Sequence, residues 1–320
     1  MGSGVWSTAN YFAAATARKA RGVSTFAHHD EVMRSGHLRA HQTLDPQGLL
    51  VRESRDSTEH PESNAIIVSL DVTGSMDRVV RGIHRDLPHL HELLLGHKYI
   101  PHPQILFGAV GDATCDAVPL QVGQFESDNR MDQNIENMVL EGGGGGQKTE
   151  SYELMLYVAA RHTAIDCFEK RGRKGYLFII GDEMAYDTIR RAHIHRLIGR
   201  DPQTDIPLRT IIAEAQEKYH VYFIIPGGAA HGDDRDVLNF WLSHLGDENV
   251  LRLESPDDTS ECIAMAIGVR EGVVQPGQLQ QQLASRGKPE GVIQRIMHSL
   301  RGLFGGADPS PDRTSGSRRL

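Results

Sequence analysis

Ala65-Ile66-Ile67-Val68-Ser69-Leu70-Asp71-Val72-Thr73-Gly74-Ser75 (65–75) is the stretch on which the reading of the fold turns. Its first half is a short apolar run rich in β-branched side chains. A run of that length reads as a strand buried on both faces, as in a parallel sheet. It stops on a carboxylate, Asp71, and a glycine-containing turn. A helical stripe then follows, with Val79, Val80, Ile83, Leu87, Leu90 and Leu94 at spacings of three and four. Strand, polar turn and amphipathic helix are the opening of a βαβ unit.

The same alternation continues outward. QILFGAV (104–110) is a second buried strand. PLQVGQF (119–125) is polar enough for an edge strand beside it, and Met131, Ile135 and Met138 suggest a short helix. The glycine run EGGGGGQKT (141–149) cannot be regular structure. Ser151 to Glu169 reads as one strong helix, and GYLFIIGD (175–182) as a third buried strand. Asp205 and Pro207 give the start signal of a helix carrying Leu208, Ile211, Ile212, Ala215 and Tyr219. VYFIIP (221–226) and NVLRLE (249–254) are further strands, with a helix between them from Asp236 to Leu245. Another helix follows Ser255-Pro256-Asp257-Asp258. Buried strands alternating with helices predict an α/β fold, a doubly wound, mostly parallel sheet of six strands with helices on both faces.

The predicted organisation is an N-terminal extension over 1–63, with helices near Thr8–Arg21 and Asp30–His41. The main domain covers 64–272, a helical extension 273–304, and a disordered tail 305–320. Hydrophobic content of 39% and charged content of 24% are those of a globular protein with a buried core. A net charge of −8 argues against a general nucleic-acid binder. No apolar run reaches the roughly 18–20 residues that span a bilayer, and no secretory signal is expected. Cys115, Cys167 and Cys262 are too few and too scattered for a disulfide frame. They read as reduced thiols, and a cytoplasmic location is the expectation.

Doubly wound sheets bind ligands at the carboxyl ends of their strands, so the polar residues there form a set. Asp71, Thr73 and Ser75 follow the first strand, the glycine-run loop delivers Thr149, and the third buried strand ends at Asp182. Three loops thus offer two carboxylates and three hydroxyls. All are hard oxygen donors, suited to Mg²⁺ or Mn²⁺. Asp112, ending the second strand, reads either as an outer support for the ion or as an exposed turn acid.

At these residues, and in the order of elements over roughly 64–272, the chain resembles the von Willebrand factor A (vWA) family. That family's metal-ion-dependent adhesion site (MIDAS) uses an Asp-x-Ser/Thr-x-Ser loop, a Thr from a later loop and an Asp after the fourth strand. Asp71, Thr73, Ser75, Thr149 and Asp182 match those positions. The family usually has a glycine after the last Asp, whereas here Gly181 precedes it and Glu183 follows. The resemblance implies a strand order 3-2-1-4-5-6 with one antiparallel edge strand. It also implies a metal-dependent interaction module in which a partner protein's Asp or Glu completes the coordination of the ion. Intracellular bacterial members often act with AAA+ ATPases or kinase and phosphatase systems. No nucleic-acid or membrane partner is expected. Catalysis would need a nucleophile or base beside the open position. Glu183 is the one candidate, so an enzyme is not expected.

Two rivals remain in view. GGGGGQKT (142–149) with Asp182-Glu183 resembles the phosphate loop and Mg²⁺-holding strand end of P-loop ATPases. Against that, Gln147 stands where a glycine is required, and the preceding MDQNIENMVLE has helical periodicity. The other rival is a structural assembly subunit whose metal only stabilises the fold. None of the seventeen histidines has a ligand set at a known spacing in sequence, so they read as solvated or partly packed.

Overall fold

In the computed structural model, residues 4–142 and 147–304 are described, without the side chains of Ser75 and Pro276. The central sheet has six strands: β1 (Asn64–Asp71), β2 (Pro103–Val110), β3 (Leu120–Val122), β4 (Gly175–Ile180), β5 (Tyr219–Ile225) and β6 (Val250–Arg252). Their spatial order is β6-β5-β4-β1-β2-β3, with only β2–β3 antiparallel. This is the predicted order, read from its other edge.

Alternation along β1 divides the core in two. Ile66, Val68 and Leu70 face one hydrophobic cluster, while Ala65 and Ile67 face the other. The first cluster takes in Val79, Val80, Ile83, Leu87, Leu90 and Leu94 of α3 (Asp77–Gly96), the expected stripe. The second is built from α5 (Tyr152–Arg161) and the helix Leu208–Lys218. Each fully buried Val, Leu or Ile contributes about 1.5–3 kcal/mol by leaving water.

The N-terminal segment is woven into this body. Its helices are α1 (Thr8–Ala20) and α2 (Ala27–Ser35), and Phe26 and Leu44 join the first cluster. Pro88 lies inside α3 and has no N–H to give the carbonyl of His84. The Tyr11 hydroxyl of α1 donates to that carbonyl instead, at 3.0 Å. Arg52–Ser54 pairs in parallel with Thr163–Ile165. The sheet edge at β3 is covered in a similar way: Val122 N donates to Leu44 O, and the Gln121 amide exchanges two hydrogen bonds with the main chain of Val139.

At the other end, the helices Leu279–Ser285 and Glu290–Ser299 bury Leu279, Leu283, Ile293, Ile296 and Met297 in the first cluster. Among the described residues no helix is long and apolar enough to cross a membrane. The tail expected to be disordered, 305–320, and the glycines 143–146 lie outside the described residues.

Several local expectations are corrected. The single helix expected from Ser151 to Glu169 ends at Arg161. His162 leaves helical geometry, its carbonyl accepts from Arg52 N, and its Nδ1 bonds Leu50 O. A strand, Thr163–Ile165, and a short turn of helix, Asp166–Glu169, follow. Tertiary pairing with the N-terminal segment overrides the helical period there. The helix expected from Asp30 to His41 runs from Ala27 to Ser35 and stops at Gly36, which takes the left-handed conformation (φ 69°). Asp205 does not cap the Leu208 helix but accepts from the main chain of Arg191, opening an unanticipated helix, Arg191–Ile198.

Candidate metal centre

The site lies at the carboxyl ends of β1 and β4, neighbours at the centre of the sheet. Asp71 is the last residue of β1 and is buried. Its Oδ1 accepts from Thr73 N (2.8 Å) and from the Thr73 hydroxyl (2.5 Å). Its Oδ2 accepts from the Tyr152 hydroxyl at 2.6 Å. A hydroxyl that spends its proton on Asp71 keeps its lone pairs for a cation. The Tyr152 contact fixes the rotation of the carboxylate, as outer partners of metal ligands do. Burial raises the Asp71 pKa to about 6; the Thr73 and Tyr152 hydrogen bonds hold it down, and the Asp182 charge pushes it up.

Asp182 is fully buried, and its Oδ2 accepts from His231 N at 2.9 Å. Thr149 sits not at a helix start but in a two-residue parallel ladder, Thr149–Glu150 against Met184–Ala185. The ladder ties the glycine-run loop to the loop after β4. Gly142 N reaches Val72 O at 3.3 Å, so the same loop also lies against the end of β1. Asp71 and Thr73 are therefore directly joined, Asp182 is in electrostatic reach of Asp71, and Thr149 stands on the ladder beside them. The side chain of Ser75 lies outside the described residues.

Three participants stand outside the expected ligand set, and of them the sequence drew notice only to Glu183, as a candidate base. Glu150 is buried, its Oε2 has no hydrogen-bond partner, and burial, then Asp71 and Glu183, push its pKa up to about 10. The Oε2 of Glu183 is likewise buried without a partner. Burial, then Asp71 and Asp182, raise the Glu183 pKa to about 8. Tyr152 is the third. The signal for it was Gly181, where a Cβ would collide with the Tyr152 hydroxyl. That glycine, one place earlier than the family pattern has it, makes room for the ring that holds Asp71.

Asp112 is buried rather than exposed. It accepts from Thr114 N and Oγ1 (both 2.8 Å), from Gln147 Nε2 (2.9 Å) and from the Tyr186 hydroxyl (3.0 Å). Burial works against its charge, but these hydrogen bonds outweigh it and lower its pKa. Tyr186 also bonds Thr149, so Asp112 is linked to the loop that carries Thr149 through one residue. Gln147 and Lys148, central to the phosphate-loop rival, are engaged elsewhere: Gln147 with Asp112 and Tyr186, Lys148 in an ion pair with Asp234. The element before that loop is a helix, α4 (Arg130–Glu136), where a phosphate loop follows a strand.

The donor set fits a hard dication. Carboxylates at Asp71, Glu150 and Glu183 repel one another in a buried setting, and among the described residues no lysine or arginine is paired with these three. Buried acids without a cation are costly, and a dication would remove that cost. The carboxylates of this site are nonetheless not gathered tightly. Among the described residues, the one trio of acid and histidine ligand atoms within 4.8 Å of each other lies elsewhere, at His84, Asp132 and Glu136.

No protein-family model matches the chain, and no curated protein matches it. Among solved structures it is similar to proximal thread matrix protein 1 from the mussel byssus, at 11% identity and a TM-score of 0.41, covering 71% of this chain and 47% of that one. The same mussel protein with a zinc occupied MIDAS motif matches at 12% identity and a TM-score of 0.41, over 68% and 48% of the two chains. The pilus adhesin SpaC from Lactobacillus rhamnosus GG, in its open conformation, matches at 9% identity and a TM-score of 0.42, over 68% and 31%. The chain thus spans less than half the length of the solved proteins it resembles.

Proposed function

We propose that this chain is a metal-dependent protein-binding module. In this reading Asp71, Thr73, Ser75, Thr149 and Asp182 hold Mg²⁺ or Mn²⁺, and an Asp or Glu of a partner protein completes the coordination. The observation that carries the reading is the buried, mutually repelling set of carboxylates around Asp71; among the described residues no lysine or arginine pairs with Asp71, Glu150 or Glu183. A dication supplies the missing positive charge and an exchangeable position for one more oxygen ligand. Thr73 keeps the Asp71 carboxylate turned inward, Tyr152 fixes its other oxygen, and the ladder at Thr149 holds the second loop in register with the third.

Binding rather than catalysis is the proposed role, with an AAA+ ATPase or a kinase or phosphatase system as the class of partner. A reducing, cytoplasmic setting fits the three free cysteines. The test is Mn²⁺ uptake, followed by electron paramagnetic resonance, on the wild type and Asp71→Ala, with a pull-down of partners with and without EDTA. Saturable Mn²⁺ binding that Asp71→Ala abolishes, with loss of the partner in EDTA, is the expected outcome. Equal Mn²⁺ binding by both proteins overturns the site. Partner retention in EDTA by a protein that does bind Mn²⁺ makes the ion structural and overturns the adhesion role.

A further inference from the structure

We propose that His84, Asp132 and Glu136 form a second metal site, of a different chemical class, where α3 crosses α4. His84 Nε2 lies 2.7 Å from Asp132 Oδ1 and 3.4 Å from Glu136 Oε1. All three atoms fall within 4.8 Å of one another. The His84 and Asp132 side chains are 8% and 4% exposed, and Glu136 is 14% exposed. All three atoms are buried and none has an aligned hydrogen-bond partner, although Glu136 Oε1 is in close ion-pair contact with Arg18.

That combination is informative. A ring N–H at 2.7 Å from a carboxylate oxygen ordinarily points at it. Here the approach is close, but the alignment for a hydrogen bond is absent. Ligands that share one ion do not point at each other; they point at the ion. With bonds of about 2.0–2.2 Å, neighbouring ligand atoms sit about 2.8–3.1 Å apart in an octahedral sphere and about 3.3–3.6 Å apart in a tetrahedral one. The observed 3.4 Å falls among these spacings and the 2.7 Å just short of them. Asp132 and Glu136 are also four residues apart on one helix, so their carboxylates stack on one face. Like charges so placed destabilise a helix unless a cation lies between them.

One positive group is already nearby. Arg18 of α1 stands 3.7 Å from Asp132 Oδ2 and also contacts Glu136. The competing state is an imidazolium at His84 that closes a charge network with Arg18. Burial works against that charge, but the contacts with Asp132 and Glu136 outweigh it and raise the His84 pKa, so a dication has to displace a proton from the same nitrogen. One imidazole nitrogen and two carboxylate oxygens suit Zn²⁺ or a similar first-row dication, in contrast to the all-oxygen set at Asp71. Three protein ligands leave a further position for water. His84 also lines an open groove of about 550 Å³ with Tyr11, Arg18 and Phe26, which gives an ion a way in. Its carbonyl is held by Tyr11 because of Pro88, so the ligand's backbone is fixed in advance.

The experiment uses the full chain, stripped with chelator and then held in excess Mg²⁺. Co²⁺ is titrated in and followed by its visible absorption, then displaced with Zn²⁺. One equivalent of Co²⁺ bound by the wild type and by Asp71→Ala, and lost in His84→Ala and Glu136→Gln, is the expected result. Glu136→Gln keeps the side-chain shape, and its circular dichroism melt checks that it is folded. Absence of Co²⁺ uptake by the wild type, or undiminished uptake by folded Glu136→Gln and His84→Ala, overturns the proposal and assigns the cluster to the Arg18–His84 charge network. The Asp71→Ala arm separates this outcome from failure of the first site.

Discussion

Glu150 and Glu261 are glutamates of nearly equal burial, 1% and 3% exposed, in opposite electrical surroundings. Glu261 sits in the helix Thr259–Arg270 and meets Arg286 at 3.1 Å, Lys288 at 2.6 Å and His89 at 3.0 Å. Burial opposes its charge, yet the His89 and Lys288 contacts prevail and hold its pKa below the usual glutamate range. The charges that act most strongly on Glu150 are other acids, Asp71 and Glu183 first, and with burial they lift its pKa to about 10. The difference teaches how to tell a structural acid from a site acid. At Glu261 the chain brings its own cations, and the acid pins the C-terminal helices to α3. At Glu150 the chain leaves the charge to be balanced from outside.

The sharpest way to break this comparison is the same substitution at both positions. Glu261→Gln strands Arg286 and Lys288 beside a neutral group, and removal of one partner from a buried pair costs about 3 kcal/mol. Lys288 and His89 reach solvent, which keeps the figure at the low end of such measurements. Urea unfolding at neutral pH measures it. Because the folded pKa of Glu261 is depressed, its contribution is fully present above the unfolded value of about 4.3 and is lost as pH falls through the folded pKa. The gap between wild type and Glu261→Gln therefore narrows as the pH is taken below about 4.3. A gap that stays constant to pH 3 would mean the glutamate acts through packing alone.

Next in size is the effect of the ion. Mg²⁺ at a hundred times its dissociation constant should raise the unfolding free energy by about 2.7 kcal/mol, since it binds only the folded chain. Asp71→Ala should show no such rise. A thermal melt with and without Mg²⁺ on both proteins is the measurement, and an equal Mg²⁺ shift in both would remove the contrast between the two glutamates. The smallest effect belongs to Glu150→Gln in EDTA. A carboxyl already neutral at pH 7 loses little on becoming an amide, so the change should stay below about 1 kcal/mol. A loss as large as that at Glu261 would show that Glu150 carries a charge the surroundings do satisfy.

How much of this was legible in the sequence differs between sheet and site. The strands could be read because burial on both faces leaves long apolar runs, and β1, β2, β4 and β5 lie within two residues of their expected limits. Strand order followed once the resemblance was drawn. The helix through Ser151–Glu169 could not be read correctly, because its break at His162 is made by Arg52, more than a hundred residues away. Asp71 and Thr73 announced themselves through their spacing, and their hydrogen bond is local. Glu150 did not, since a glutamate beside a glycine run looks solvated until its burial is known, and Glu183 stood out only as a candidate base, not for its burial. The His84 cluster was invisible for a similar reason. Its ligands come from α3 and α4, and only the packing of those helices gives them a common centre.

The parallel pairing of Arg52–Ser54 with Thr163–Ile165 has a consequence in time as well as in space. During synthesis, residues 52–54 leave the ribosome long before their partners exist. At about 5–20 residues per second, that strand waits roughly 6–20 seconds with its backbone amides facing water. Val122, the early partner of Leu44, arrives sooner, so the segment is tethered at one point before it is zipped at the other. The nascent chain thus passes through a stage in which only β1, β2 and β3, half of the sheet, can assemble while its N-terminal strap hangs half attached. Slowing translation between codons 122 and 163 should lengthen that stage, and a pulse of protease applied then should cut within 45–62 before it cuts within β1.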